Sequence, residues 1–418
     1  MATQAWAMPR QAAMILKARY VVPVEGPVIE NGAVAIEGPT ILAVGRTDDV
    51  AGSGPTVDYG DAVIGPGFVN AHTHLELSLL RGRVPPSRDF ADWLRRLMAE
   101  LISIGPDVEY VTSAVREGVI ESLRGGVTTV GDITRHPRLT RPVLAGSPVR
   151  AVSFGEVAAI GNRRELLADR LEAAISTEHR TERFRVGVSP HSPYTLEPEG
   201  LRACAECSEQ LDLPMCIHLA ETPDEERFTR LGEGTLVEHL RTLGIWDDQI
   251  PIAGFGPIEL ADRMGVLTPK TLVAHANYVS DEDIERLRRS RASVAYCPRT
   301  HHAFGHSTHR FVEMMAAGIN VCAGTDSLAS NPSLSILDEL RFLHRIRPAV
   351  DPATLLAMGT IRGARALGLE KRVGSLKSGK LADIVVFPVR PTAPTSVYEK
   401  LLESDTQPIA VYTGGRFR

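Results

Sequence analysis

Along this chain the spacing of apolar residues changes character twice. From about Ala13 to Pro66, short segments such as ARYVVPV, GAVAIEG and TILAVGR are rich in Val and Ile and separated by Gly and Pro turns. That is the pattern of antiparallel strands. GKLADIVVFPV and PIAVYTGGRF repeat the style near the C-terminus, with no long helical pattern between them. Two strand-rich ends around a different middle predict that residues 1–66 and 369–418 meet in one small β-sandwich.

The middle, residues 67–368, alternates differently. Strand-like apolar runs recur at AVIGPGFVNA, GVTTVGDI, VRAVSFGEV, FRVGVSP, PMCIHLA, TLVAHA, ASVAYCP and INVCAGTD, separated by stretches long enough for helices. Two of those stretches, SDEDIERLRRSR and HRFVEMMAAG, carry apolar residues at helical spacing. Eight strand–helix units with strands apolar on both faces predict an α/β fold, a (β/α)₈ barrel of the TIM type. An open doubly wound sheet is the competitor, but no G-x-G-x-x-G follows the first strand.

Composition narrows the partner. The formal charge of -5 over 418 residues contains no block of like sign, so neither nucleic acid nor an anionic membrane is indicated, and a small molecule is the expected ligand. MATQAWAMPRQAAMILKARYVV places its basic residues inside rather than before an apolar stretch, residues 1–12 read as a frayed start, and no apolar segment reaches membrane-spanning length. Five scattered cysteines argue against a disulfide framework, and a cytoplasmic location is expected. Cys204 and Cys207 form C-x-x-C without a second pair, inside EGLRACAECSEQLDL, which reads as an amphipathic core helix.

Candidate chemistry concentrates where barrel enzymes keep it, at the C-terminal ends of the strands. His72 and His74 end the first run, His191 the fourth, His218 the fifth, His275 the sixth and Asp326 the eighth. Residues two apart on a strand share a face, so both imidazoles of His72-x-His74 can project over the barrel mouth. Taken alone, H-x-H equally fits a hydrogen-bonded pair of structural histidines. With His218 and Asp326 added, three imidazoles and a carboxylate can hold a first-row divalent metal and leave room for a water activated as nucleophile. Glu221, just beyond His218 in H-L-A-E, is placed to shuttle protons, although ETPDEERF also reads as an acidic helix start. His275 fits a substrate-polarising group or a satisfied buried histidine. Glu156 fits a bridging ligand or a lone carboxylate at the barrel mouth.

The phrases PGFVNAHTHLELSLLRG, SPHSPYT, IHLAE, LVAHANYVSDEDI and GTDSLASNPSLSILDELR resemble the amidohydrolase superfamily, in the branch of chlorohydrolases, cytosine and guanine deaminases and S-adenosylhomocysteine deaminases. The resemblance spans almost the whole chain. It implies that His72, His74, His218 and Asp326 hold one divalent ion, zinc first, with iron or manganese as alternatives. It further implies that Glu221 carries protons, that His275 orients nucleophile or substrate, that Asp326 accepts a proton from water, that His191 faces the substrate, and that the protein is a homodimer. No lysine lies between Lys17 and Lys270, so a bridging carboxylated lysine on the second to fifth strands is impossible and one metal is favoured over two.

A proton-carrying glutamate beside an activated water suits attack on an amidine-like ring carbon, so hydrolytic deamination with release of ammonia is the expected reaction. The H-x-H-L-E-x-S form, F-x-x-W-L, CPRTHHAFGH and TDSLASN are similar to aminodeoxyfutalosine deaminases, whose substrate is an adenine nucleoside bearing a benzoate. On that reading Arg299, or the histidines His301, His302 and His306, meets the carboxylate, and Glu76 or Glu100 meets the sugar. Trp93 and Ser330 complete the expected substrate contacts. The bland alternative for the His-rich loop, up to His309, is a solvated turn. Other substrates kept open are S-adenosylhomocysteine, methylthioadenosine and guanine, with a cyclic amide or chlorotriazine hydrolase as a second class and a non-catalytic scaffold as a third.

Overall fold

The computed structural model describes residues 13–50, 54–105 and 107–418, which fall into two compact units. The frayed start expected for residues 1–12 lies outside the described residues.

The smaller unit draws on both chain ends, up to Gly67 and from Lys371 to Arg418. Met14–Val21, Ile29–Glu37 and Thr40–Arg46 pair antiparallel in sequence, as their Val- and Ile-rich alternation predicts. Two further strands depart from the antiparallel expectation: Thr56–Asp58 and the start of Val63–Pro66 both run parallel to Met14–Val21. Val63–Pro66 then pairs antiparallel with Ile384–Phe387, so the two chain ends share one sheet. Leu16, Val34, Ile36, Ile64, Ile384 and Val386 pack in its core. A short helix, Val397–Glu403, lies between the strands Ile384–Phe387 and Ala410–Thr413.

The larger unit, Phe68–Glu370, is the barrel. Its strands in chain order are β1 (Phe68–Thr73), β2 (Val127–Thr134), β3 (Arg150–Val157), β4 (Phe184–Pro190), β5 (Met215–Leu219), β6 (Thr271–His275), β7 (Ser293–Tyr296) and β8 (Val321–Ala323). Consecutive strands pair in parallel, and nearly every strand residue is buried, which is why these segments read as apolar without alternation. The run AVIGPGFVNA divides: Val63–Pro66 belongs to the small sheet and only Phe68–Thr73 to the barrel, with Gly67 between them. Closure between β8 and β1 is made past the end of β8, where the N–H groups of Thr325 and Asp326 both donate to the His72 carbonyl at 3.1 Å. Buried Asn70 reinforces it by donating to Thr325 Oγ1 at 2.7 Å.

Four helices bear on the barrel mouth. In α1 (Phe90–Ile104) Asp89 caps the N-terminus by accepting from the Asp92 N–H, and Phe90, Trp93 and Leu97 bury one face at helical spacing. Thr222 caps α2 (Pro223–Leu231), while α3 (Thr235–Thr242) buries Leu236, Val237 and Leu240. Ser335 caps α4 (Ile336–Ile346). Cys204 and Cys207 lie on the helix Pro198–Leu211 as free thiols. No helix among the described residues is long and apolar enough to cross a membrane.

Candidate metal centre and active site

At the C-terminal ends of the strands the barrel brings His72, His74, His218, His275, Glu221 and Asp326 together, all of them buried. Their mutual placement depends on backbone that few residues adopt willingly. Ala220, His275, Ala276 and Asp326 have φ of 51°, 72°, 50° and 58°, left-handed values for residues other than glycine. Such strain persists only where surroundings enforce it, and it clusters at functional sites.

The enforcing contacts are visible. Glu225, fully buried in the first turn of α2, accepts from the Ala220 N–H at 3.0 Å and the Glu221 N–H at 2.8 Å. Asn277 donates to the Glu221 carbonyl at 3.0 Å, so Glu221 is gripped at both its peptide groups. His309 Nε2 donates to the His275 carbonyl at 2.8 Å. Ser330 donates to Asp326 Oδ2 at 2.5 Å, and Asn331 donates both to the Thr325 carbonyl and to Glu339.

The donor set fits a divalent ion. His72 Nε2 is buried with no hydrogen-bond partner, an expensive arrangement for a polar atom unless a ligand takes its lone pair. His218 Nδ1 donates to the His191 carbonyl at 2.9 Å, which fixes its tautomer and leaves Nε2 free to ligate. That Nε2 lies 3.2 Å from His74 Nε2, close to the spacing of about 3.4 Å between donors around an ion with bonds of about 2.1 Å. Asp326 Oδ1 stands 3.4 Å from His74 Nε2 and 3.8 Å from His72 Nε2. Two groups of potential ligand atoms result, His72, His218 and His275 in one, His72, His74 and Asp326 in the other, with His72 common to both.

Burial governs the protonation states. It holds His72, His74 and His275 well below the usual histidine range, with the neighbouring imidazoles adding to the effect, so they stand neutral, as ligands must. Burial, then the negative charge of Asp326, pushes Glu221 well above the usual carboxyl range. Asp326 is raised by burial to about 6, with the Ser330 hydroxyl and the Ser327 N–H acting against the rise. Glu221 Oε1 lies 3.5 Å from His275 Nε2, so a neutral acid and a neutral imidazole stand side by side.

Above this floor opens a cleft of about 1280 Å³, its mouth included. His74, His218, His275, Glu221 and Asp326 line its base; His72 is packed behind them. Phe90, Trp93, Leu94 and Leu97 of α1 form one wall, Leu236 and Leu240 of α3 another, and Arg135, Arg163 and Arg170 a basic side. Trp93 and His191 therefore face the cleft. Trp93 is held by donating its indole N–H to the Val84 carbonyl at 3.1 Å, and His191 Nδ1 bonds Thr195 Oγ1 at 2.7 Å.

The other expected substrate contacts lie elsewhere. The Glu76 carboxylate turns toward the end of β2, where it meets the Arg135 N–H at 2.9 Å, His136 Nδ1 at 3.2 Å and Thr134 Oγ1 at 3.3 Å. Burial opposes its charge, but His136 and Arg135 outweigh burial and hold its carboxyl below the usual range. Arg299 lies against α4, its N–H donating to Glu339 at 2.9 Å and its guanidinium to Ser333 at 2.9 Å. His302 is exposed and packs on Phe342, while Ser330 supports Asp326 from behind. His301 and His309 are buried rather than solvated and lie off the cleft, His309 stacked on Tyr296 and His301 edge-on to it. Glu221 precedes the helix that ETPDEERF begins, since α2 starts at Pro223. Sequence reasoning missed Glu225, Asn277, Glu339 and the three arginines. Only Glu225 had a readable signal, a glutamate four residues after Glu221, which passed for a helix-start charge.

A family profile described as the amidohydrolase family matches residues 63–417, the whole barrel and, of the small sheet, the strands from Val63–Pro66 onward. The chain belongs to the amidohydrolase family. Among its relatives, this amidohydrolase is 31% identical to a 5-methylthioadenosine/S-adenosylhomocysteine deaminase of Moorella thermoacetica, over 90% of this chain and 86% of that one. It is 30% identical to an aminodeoxyfutalosine deaminase of Deinococcus radiodurans, over 81% of each chain. Among solved structures it is similar to an adenosine deaminase from Xanthomonas campestris with bound zinc, at a TM-score of 0.83 and 27% identity, covering 98% of this chain and 93% of that one. Family and relatives agree on a metal-dependent hydrolase of C–N bonds other than peptide bonds, a deaminase, acting on a small molecule.

Proposed function

We propose that this amidohydrolase converts the 6-amino group of an adenine nucleoside derivative to a carbonyl, with aminodeoxyfutalosine as first substrate and methylthioadenosine or S-adenosylhomocysteine as second. The observation that carries the reading is the side-by-side placement of buried Glu221, its carboxyl pushed up by burial, with His275 and Asp326 beneath a large, apolar-walled cleft. The names of the relatives supply the substrate class.

His72, His74 and His218, with Asp326, would hold one divalent ion, and zinc is proposed because nitrogen-rich four-donor sites suit it. When bound, the ion supplies Lewis acidity and makes water a competent nucleophile near neutral pH. Glu221 holds the proton that the ring nitrogen beside the amino-bearing carbon must receive as water adds to that carbon. Asp326 takes the proton that the water gives up. Glu221, once ionised, relays it to the amine, and as the C–N bond breaks and ammonia leaves, the added hydroxyl returns its remaining proton to Glu221, so that a ring carbonyl remains. His275, neutral and gripped through its carbonyl by His309, orients the oxygen being added. The apolar walls exclude bulk water from Glu221 and keep its proton from exchanging away. Arg135, Arg163 and Arg170 suit an anionic group at the far end of the substrate, the part that the chain pattern assigns to Arg299.

We extend the proposal to a homodimer, and to a cytoplasmic location that the five free thiols support. The test is ammonia release by zinc-reconstituted protein from aminodeoxyfutalosine, methylthioadenosine, S-adenosylhomocysteine, adenosine, guanine and an aminotriazine. Zinc-dependent release from a 6-aminopurine nucleoside is expected; release only from guanine or the triazine would reject the assignment.

A further inference from the structure

One carboxylate in the cleft has no part in the deamination chemistry. Glu156, at the end of β3, lines the cleft, is 8% exposed and lies outside both groups of potential metal ligands. Its two oxygens point to different neighbours and bond neither: Oε1 is 3.9 Å from Arg135 Nε, and Oε2 is 3.9 Å from His191 Nε2. Both separations exceed hydrogen-bond length. No hydrogen bond to this carboxylate exists among the described residues, so two acceptor oxygens face the cleft with their bonding capacity unused.

Burial pushes the Glu156 carboxyl up and the Arg135 charge pulls it down; in its ionised form it only accepts, so what it binds must donate. On the adenosine part of such a substrate the ring nitrogens N1, N3 and N7 are acceptors, and the only N–H donors sit on the amino group that must lie at the reacting floor. Of the three carboxylates lining the cleft, Asp326 and Glu221 already occupy that floor. The donors left on the adenosine part are the sugar hydroxyls, and two adjacent O–H groups match two adjacent carboxylate oxygens. The glutamates expected to serve here are committed elsewhere, Glu76 to the end of β2 and Glu100 to Arg83 at 2.6 Å, and neither lines the cleft. Resting on the deaminase reading, we infer that Glu156 is a specificity-determining residue that accepts both hydroxyls of the ribose 2′,3′-diol, with Arg135 and His191 holding its carboxylate from either side.

The competing role for Glu156 is that of a protonated acid donating to a ring nitrogen, and a substrate-by-variant comparison separates the two. The zinc-reconstituted full chain, Glu156→Gln and Glu156→Ala would be assayed on a 5′-substituted adenosine and on its 2′,3′-dideoxy counterpart. Native protein should favour the diol substrate about 100-fold in kcat/KM, since two hydrogen bonds to a charged group are at stake. In both variants that ratio should collapse to within about threefold, with the loss falling on the diol substrate and more in KM than in kcat. Equal losses on both substrates, or native protein indifferent to the diol, would overturn the inference. A ring-nitrogen donor would also survive in Glu156→Gln, which keeps an N–H, but not in Glu156→Ala. Calorimetric Kd values for the corresponding 6-oxo products, with and without the diol, read the same contact without turnover. A diol-dependent Kd lost in the variants, alongside an enzyme that deaminates neither substrate, would keep the Glu156 contact and reject the reaction instead. Matched thermal melts establish that the variants are folded.

Discussion

At the base of the cleft, ring nitrogens and carboxylate oxygens stand 3–4 Å apart, the backbone at His275 and Asp326 is strained, and the His218 ring and the Asp326 carboxylate are fixed by hydrogen bonds from behind. On the walls, α1 and α3 present Leu94, Leu97, Leu236 and Leu240, which act through area and shape. The base works by placing charge and protons, where an ångström or one proton decides the rate. The walls work by removing apolar surface from water, at about 0.8 kcal/mol per buried methylene, and tolerate graded change. Chemistry and specificity are thereby separated in space, and substitutions in the two regions should fail in different ways.

The largest effects belong to the base. Glu221→Gln should retain the metal by elemental analysis and lose about 10³-fold in kcat, because the proton carrier is gone while the ligands remain. Asp326→Ala should lose metal and rate together. A Glu221→Gln enzyme of near-native turnover would remove the proton carrier from the account. Next comes the support behind it: Glu225→Ala frees the Ala220 and Glu221 N–H groups and should cut kcat by about 10- to 100-fold while KM moves little. A loss confined to KM would show that Glu225 does not position Glu221. Leu94→Ala, on the wall, should do the reverse, raising KM about three- to tenfold with kcat held within twofold.

The last effect is on stability rather than on rate. Burial raises Glu339 from 4.5 to about 7, against the pull of Arg299 and Asn331. A carboxyl whose folded pKa lies above its unfolded value binds its proton more tightly when folded. Its contribution is therefore complete below about pH 4.5 and is lost as pH rises through about 7. Urea unfolding of native protein and Glu339→Gln should show the native chain losing up to about 3 kcal/mol relative to the variant between pH 5 and pH 8. Parallel profiles would mean that Arg299 holds Glu339 ionised throughout.

The same division explains what could be read from the chain. Ligand-type residues at strand ends were legible because strand parity and barrel topology convert position in the sequence into position in space: His72 and His74 share a face, and His218, His275 and Asp326 each end or follow a strand. The walls were half legible, through the F-x-x-W-L stretch that supplies Phe90, Trp93 and Leu94. Side-chain direction was not. Arg299 follows β7 and was expected over the barrel mouth, but the helix Pro298–Ala303 turns it toward Glu339 on α4. Glu76 was placed correctly along the chain, yet its carboxylate bends to the β2 end. Glu225 and Asn277 act on backbone groups, and a side chain that grips a peptide leaves no residue-type partner in the sequence to reveal it.

The most direct test of a single-metal hydrolytic centre is a titration of metal-free protein with zinc, following deamination of the best 6-aminopurine nucleoside and bound zinc together. Activity rising in proportion to zinc and levelling at one ion per chain is the predicted result. Activity without metal, or a rate that levels only at two ions per chain, would contradict it.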